Sequence, residues 1–105
     1  MRAYYRIVEM KDGEPHSLFH GTGGTRKLIV NKWLTADIKI VNDGSRPYVS
    51  GFHLFSTYDD AFSYLMGKFK NIRNKLVISC QARKLRPKPT NPDKVLLAEQ
   101  IRIVL

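Results

Sequence analysis

Only one stretch of this chain repeats its apolar residues at helical spacing: Ala61, Phe62, Leu65, Met66 and Phe69. Elsewhere the pattern has a period of two. Ala3, Tyr5 and Ile7 stand against Tyr4, Arg6, Val8 and Met10; Leu76, Ile78, Cys80 and Ala82 share one side of residues 75–83; residues 95–105 form a further long strand. The order is strands, one helix, strands. The expected fold is α+β, a mainly antiparallel sheet of about six strands with one main helix packed on it. The 105 residues, 43% of them hydrophobic, suffice for one domain over 1–105 and not for two. Aromatic residues from Tyr4 to Phe69 and 26% charged residues exclude a disordered tail.

Local signals bound the elements. Asp12-Gly13 marks a tight turn, so residues 3–20 read as a hairpin returning through Ser17-Leu18-Phe19-His20. The run His20-Gly21-Thr22-Gly23-Gly24-Thr25 is too rich in glycine for a helix or a strand interior. Residues 27–41 are β-branched and aromatic, with Ile29 and Trp33 on one parity and Ile38 and Ile40 on the other. They read as two strands or one bent strand. A turn follows at Asn42-Asp43-Gly44-Ser45. Pro47, lacking an amide donor, must stand outside any central strand position, and residues 51–55 form a short strand. Thr57 is placed to cap the amide of Asp60, with Asp59 and Asp60 in the first helical turn, and the helix should run over 58–70 with Phe62, Leu65 and Phe69 on the sheet. Gly67 weakens it. Arg86-Pro87-Lys88-Pro89-Thr90-Asn91-Pro92 reads as an extended loop.

Charge is the strongest functional signal. The chain carries 18 Lys+Arg against 9 Asp+Glu, a formal net charge of +9. Between Ala61 and Pro92 there is no acid, while Lys68, Lys70, Arg73, Lys75, Arg83, Lys84, Arg86 and Lys88 supply eight of the basic side chains. The helix end, the next strand and the proline loop are expected to bring them into one region. There they would neutralise phosphates of nucleic acid or a nucleoprotein complex, or meet an acidic protein surface; the competing reading is a solubilising face. Tyr48, Tyr58 and Tyr64 could stack on bases.

Other residues bear on chemistry. Glu99 shares strand parity with Val95, Leu97, Ile101 and Ile103. It is either a buried carboxylate able to act as acid, base or oxocarbenium stabiliser, or a structural partner of an arginine; alternatively this face is the solvent side of an edge strand. His20 stands just before the glycine-rich run, whose amides could receive a phosphate or a carboxamide, or else it is an exposed turn histidine. Cys80, the single cysteine, has core parity, and with no second cysteine neither an internal disulfide nor a cysteine zinc cluster is possible. The three histidines lack the spacing of a helical metal site, so no metal is expected. Trp33 reads as core rather than as a ligand platform. No apolar run approaches a membrane span, and Met1 opens directly into Arg2-Ala3-Tyr4-Tyr5, so the expected setting is the cytosol, away from membranes.

The succession Phe19-His20-Gly21-Thr22, then Gly51-Phe52-His53-Leu54-Phe55-Ser56-Thr57 leading into a helix with Ala61 and Tyr64, then Glu99 on a late strand resembles the motif order of ADP-ribosyltransferases. The resemblance covers about a fifth of the chain. It implies an NAD-dependent enzyme in which His20 holds the nicotinamide and ribose, Tyr64 stacks on the nicotinamide and Glu99 orients the reacting sugar. A helix usually follows the His-Gly-Thr turn in that family, whereas residues 27–41 read as β here. The small, basic, one-domain chain is also similar in a general way to accessory proteins of bacteriophages and prophages, which implies a host or defence target in the host cytoplasm. Two expectations result: a binder of nucleic acid or a nucleoprotein complex that needs no cofactor and works through its cations, or a transferase that uses NAD.

Overall fold

A computed structural model describes residues 2–17, 27–36, 40–42, 47–69, 72–89 and 91–104. The glycine-rich run 21–25, the turn residues 43–45, His20 and Lys70 lie outside them. The described chain is α+β: a mainly antiparallel, curled six-stranded sheet, a separate two-stranded ribbon and one helix. Strands β1 (Tyr4–Lys11) and β2 (Glu14–His16) form a hairpin. Its turn carries positive φ at both Asp12 (55°) and Gly13 (78°), the pair of conformations that lets two twisted strands reverse in two residues. The return strand occupies Glu14–His16; Leu18, Phe19 and His20 of the expected return lie outside the described residues.

Residues 27–41 do split into two strands, β3 (Trp33–Thr35) and β4 (Ile40–Asn42), of which β4 pairs, among the described residues, with β5 (Pro47–Val49) alone. Pro47 thus stands at the start of a strand in a two-stranded ribbon, where its missing amide costs no interior ladder bond. The short strand β6 (Phe52–Leu54) leads into α1 (Tyr58–Lys68), capped as expected by Thr57, whose Oγ1 accepts from the Asp60 amide at 3.1 Å. Then β7 (Lys75–Pro87) and β8 (Leu96–Ile103) form the long central pair. β7 runs further than its alternation suggested. Arg86 and Pro87, expected in the proline loop, still pair with Leu97 and Leu96. Among the described residues no helix is long and apolar enough to cross a membrane.

The path β2-β1-β7-β8-β3 is not flat. β6 also pairs with β8, through Phe52↔Ala98 and Leu54↔Leu96, and the residue after it reaches back to β1. Tyr5 and Phe55 exchange both backbone hydrogen bonds, at 2.9 and 2.8 Å, so β1, β7, β8 and β6 form a closed circuit. Lys27 and Leu28 meet β2 at His16 and Pro15, while Val30 and Asn31 meet β8 at Ile103. Inside the curl lie Val8, Leu28, Leu54, Ile78, Cys80, Ala98, Ile101 and Ile103.

One detail decides where Glu99 points. Ile78, Cys80 and Ala82 face this core from even positions of β7, but so does Leu85; on β8 Leu96 and Ala98 face it, and then Ile101 and Ile103. Both strands therefore change parity at the same level, around Lys84, whose φ is 56°, and Glu99 opposite it. A strand in strict alternation would have grouped Glu99 with Ile101 and Ile103. The reversal separates it from them, because one residue out of extended conformation moves every later side chain to the other face.

The helix packs on the outside. Ala61 and Leu65 are buried against Ile7, Phe55 and Val95, with Tyr5, Tyr64, Phe69 and Val77 around them. Phe62, expected on the sheet, is 44% exposed, as are Tyr58 (50%) and Met66 (51%) on the same side of the helix. The Tyr58 and Phe62 rings stack on each other, 6.0 Å between centroids.

Candidate nucleic-acid interface

α1 packs on β1 and the first part of β7, and among the described residues no element packs on the outer face of β7, β8 and β3 further along. Directly paired residues of antiparallel strands project on the same side, so the ladders define two rows across this face. Gln81 pairs with Arg102 and Arg102 with Trp33; Arg83 pairs with Gln100 and Gln100 with Thr35. The opposite sides of the same strands carry Ala82, Ile101 and Leu34 into the core. The polar face is thus a direct product of alternation over residues 100–103.

Arg83 reaches over the intervening strand to Trp33. Its guanidinium carbon lies 3.7 Å from the centroid of the indole ring, although the two residues stand two strands apart, about 10 Å in backbone spacing. That is well within the roughly 6 Å reach of a cation–π contact. Gln100 lies between them and donates from Nε2 to the Thr35 hydroxyl at 3.2 Å. The Nε of Arg102 is buried and has no hydrogen-bond partner among the described residues. None of these six residues is acidic. Trp33, expected in the core, is instead half-buried on the outer face, because its parity matches Arg102 rather than Ile101.

The expected basic block is drawn out along β7 rather than gathered in one region. A strand advances about 3.3 Å per residue, so cations that are close in sequence separate along it. Lys68 ends α1. Arg73 lies in the turn before β7, and Lys75 opens that strand, half-buried, its Nζ 3.7 Å from Glu9 and over the ring of Phe69. Arg86 is committed to architecture: it donates to the carbonyls of Val49 (3.0 Å) and Ser50, tying the end of β5 to β7. Lys88 donates its backbone amide to Val95 where β7 turns back towards β8. Arg83 and Lys84 are exposed in the middle of β7, and Lys84 sits 3.6 Å from Glu99.

Glu99 and Tyr64 are placed apart by the elements that carry them. Ser56 and Thr57 leave β6 beyond its Leu54↔Leu96 pair, and Tyr64 follows on α1 with its ring on Phe55, 5.2 Å between centroids. Glu99 lies beyond the other end of that ladder, past Phe52↔Ala98, where its carbonyl accepts from the amide of Ala36. No described contact joins Tyr64 to Glu99. His20, Lys70 and the side chain of Tyr48 lie outside the description. Among the described residues no group of three His, Cys, Asp or Glu side chains comes together.

A second cation lies inside the curl. Arg6 is 8% exposed, and donates from Nη1 to the carbonyl of His53 (3.1 Å) and from Nη2 to the hydroxyl of Ser17 (2.9 Å), with the guanidinium over the Phe52 ring. Burial pushes its pKa down to about 10, which leaves it charged at neutral pH. Burial also raises the Cys80 thiol to about 11, so it is protonated and a poor nucleophile. His53 is pushed down to about 4, first by burial and then by the positive charges of Lys88 and Arg6.

Comparison with known proteins finds no family model, no curated protein and no solved structure that matches this chain. The geometry of the face therefore carries the functional argument.

Proposed function

We propose that the protein binds nucleic acid along the outer face of β7, β8 and β3. The observation that carries this reading is the pair of cross-strand rows in which Arg83 and Arg102 are set among Gln81, Gln100, Thr35 and Trp33, six residues without a carboxylate, with Glu99 at their border held by Lys84. A net charge of +9 supports it, since a strongly cationic chain attracts polyanions at long range and releases their condensed counterions on contact. Glutamine and threonine beside arginine supply neutral donors and acceptors, which suit sugars and base edges better than a bare lysine surface would. The protein acts here as a binding module, and the reaction chemistry of a transferase has no part in it.

Fluorescence anisotropy of a labelled oligonucleotide, titrated over a range of salt concentrations, tests the reading. Binding should weaken as salt rises, and the double variant Arg83→Gln, Arg102→Gln should bind more weakly with a slope shallower by about 1.4–1.8, for two lost phosphate contacts. Absence of binding at low salt, or an unchanged slope in the variant, sinks the proposal. So does a larger thermal stabilisation by NAD or by polyglutamate than by nucleic acid, which would point to the transferase or to an acidic protein partner.

A further inference from the structure

We infer that the Trp33–Arg83 pair is a stacking platform for an unpaired base, so that the face takes single-stranded nucleic acid in preference to duplex. The inference rests on the nucleic-acid reading above and specifies its substrate.

A structural tryptophan in a chain of this size is normally placed in the core, where its large ring is covered by aliphatic side chains. Trp33 is held differently. It belongs to the three-residue strand β3, which ends the sheet path after β8, and its inward-facing neighbour Leu34 fills the core in its place. Outside, the cover over its ring is a guanidinium, a planar cation that is itself exposed. Guanidinium and indole together present a flat, positively charged surface. Bases stack on arginine planes as readily as on aromatic rings.

The surroundings supply what a strand of nucleic acid needs next to such a platform. Arg102 is directly opposite Trp33, and Gln100 and Thr35 form the adjoining row. The backbone amide of Asn31 and the carbonyl of Ile103 are already bonded to each other at 2.7 Å, so β3 is anchored at its entry and the ring has a fixed base. A duplex offers this platform nothing but its edge, because its bases are stacked on one another; a single strand can turn a base outward. Phosphate attraction alone would favour the duplex, which has the higher charge density. Preference for a single strand therefore separates stacking from simple charge attraction.

Trp33 is the only tryptophan of the chain, so its emission reports this site alone. The intact protein should be titrated with a thymidine oligonucleotide, a duplex of the same length and heparin, following anisotropy and tryptophan emission together. The oligonucleotide is expected to bind about tenfold or more tighter than the duplex and to quench the emission, while heparin binds with little quenching. Trp33→Leu should lose about tenfold or more of the oligonucleotide affinity, the effect of one stacked base. Trp33→Phe should keep most of it, and a cooperative urea transition in both variants, read by circular dichroism, controls for folding. Oligonucleotide binding with unchanged emission, equal affinity for duplex, or a Leu variant that binds as tightly as wild type overturns the platform and leaves the broader reading standing. Failure of both nucleic acids to bind overturns both.

Discussion

His53 is the residue whose titration most clearly couples to folding. Its imidazole is held neutral down to about pH 4 by burial and by the charges of Lys88 and Arg6, whereas an unfolded imidazole takes up its proton near pH 6.5. Between these values the unfolded chain binds more protons than the folded one, so stability is complete above about pH 6.5 and is lost as the pH falls towards 4. The loss from this group should be about 2–3 kcal/mol between pH 7.5 and 4.5. Urea unfolding at the two pH values should show that loss in the wild type and a smaller one in His53→Gln; equal losses would place the acid sensitivity elsewhere. Little of this was legible in the sequence, where His53 is one histidine in a short strand. Its environment comes from Arg6 and Lys88, brought close only by the fold. Cys80 was legible, because a small apolar side chain in phase with Leu76 and Ile78 needs nothing beyond parity to be assigned to the core. Arg6 and Val8 share that phase, yet a parity argument alone does not reveal that the guanidinium can be accommodated by the carbonyl of His53 and the hydroxyl of Ser17.

Among the elements, α1 shows where periodicity stops being informative. Ala61, Phe62, Leu65, Met66 and Phe69 do make one apolar arc, but that arc is wider than the strip a curved sheet can cover. Contact with Tyr5, Ile7 and Val77 selects the Ala61–Leu65 side and leaves Tyr58, Phe62 and Met66 largely exposed. Leu65→Ala should therefore cost about 2–4 kcal/mol, and Phe62→Ala about 1 kcal/mol or less, its main loss being the stack on Tyr58. Denaturant unfolding of the two variants checks the order, and a larger cost at Phe62 would mean that the helix is rotated on the sheet. The helix start was legible in full, since a Thr57 side chain facing the Asp60 amide is a local matter. The end of β7 was not. Proline reads as a stop, but at the last position of a strand its missing amide costs little, and Pro87 takes its place opposite Leu96. The candidate face divides in the same way. Gln100 and Arg102 alternating with Ile101 and Ile103 mark the polar side of β8, whereas the register with β3 that sets Trp33 beside them has no local signal.

For the whole molecule, the class of fold followed from the order of its elements, but the closure of the sheet did not. It depends on Tyr5 and Phe55 exchanging two backbone bonds, and backbone groups carry no sequence code for a distant partner. That closure also sets a tempo. β1 must find β7 across most of the chain, and the circuit is complete only when Phe55, from the middle, slots in beside Tyr5. Among the described strands the local pairings are β1–β2, β4–β5 and β7–β8, and two strands alone are too few to persist until the distant β1–β7 and β6–β8 ladders form. Search over such distances costs entropy before any contact rewards it, so refolding from urea should take on the order of milliseconds to seconds, in the range of all-β domains rather than helical ones. Stopped-flow fluorescence of Trp33 gives the rate directly, and recovery within microseconds would show that the ring closes by some shorter route.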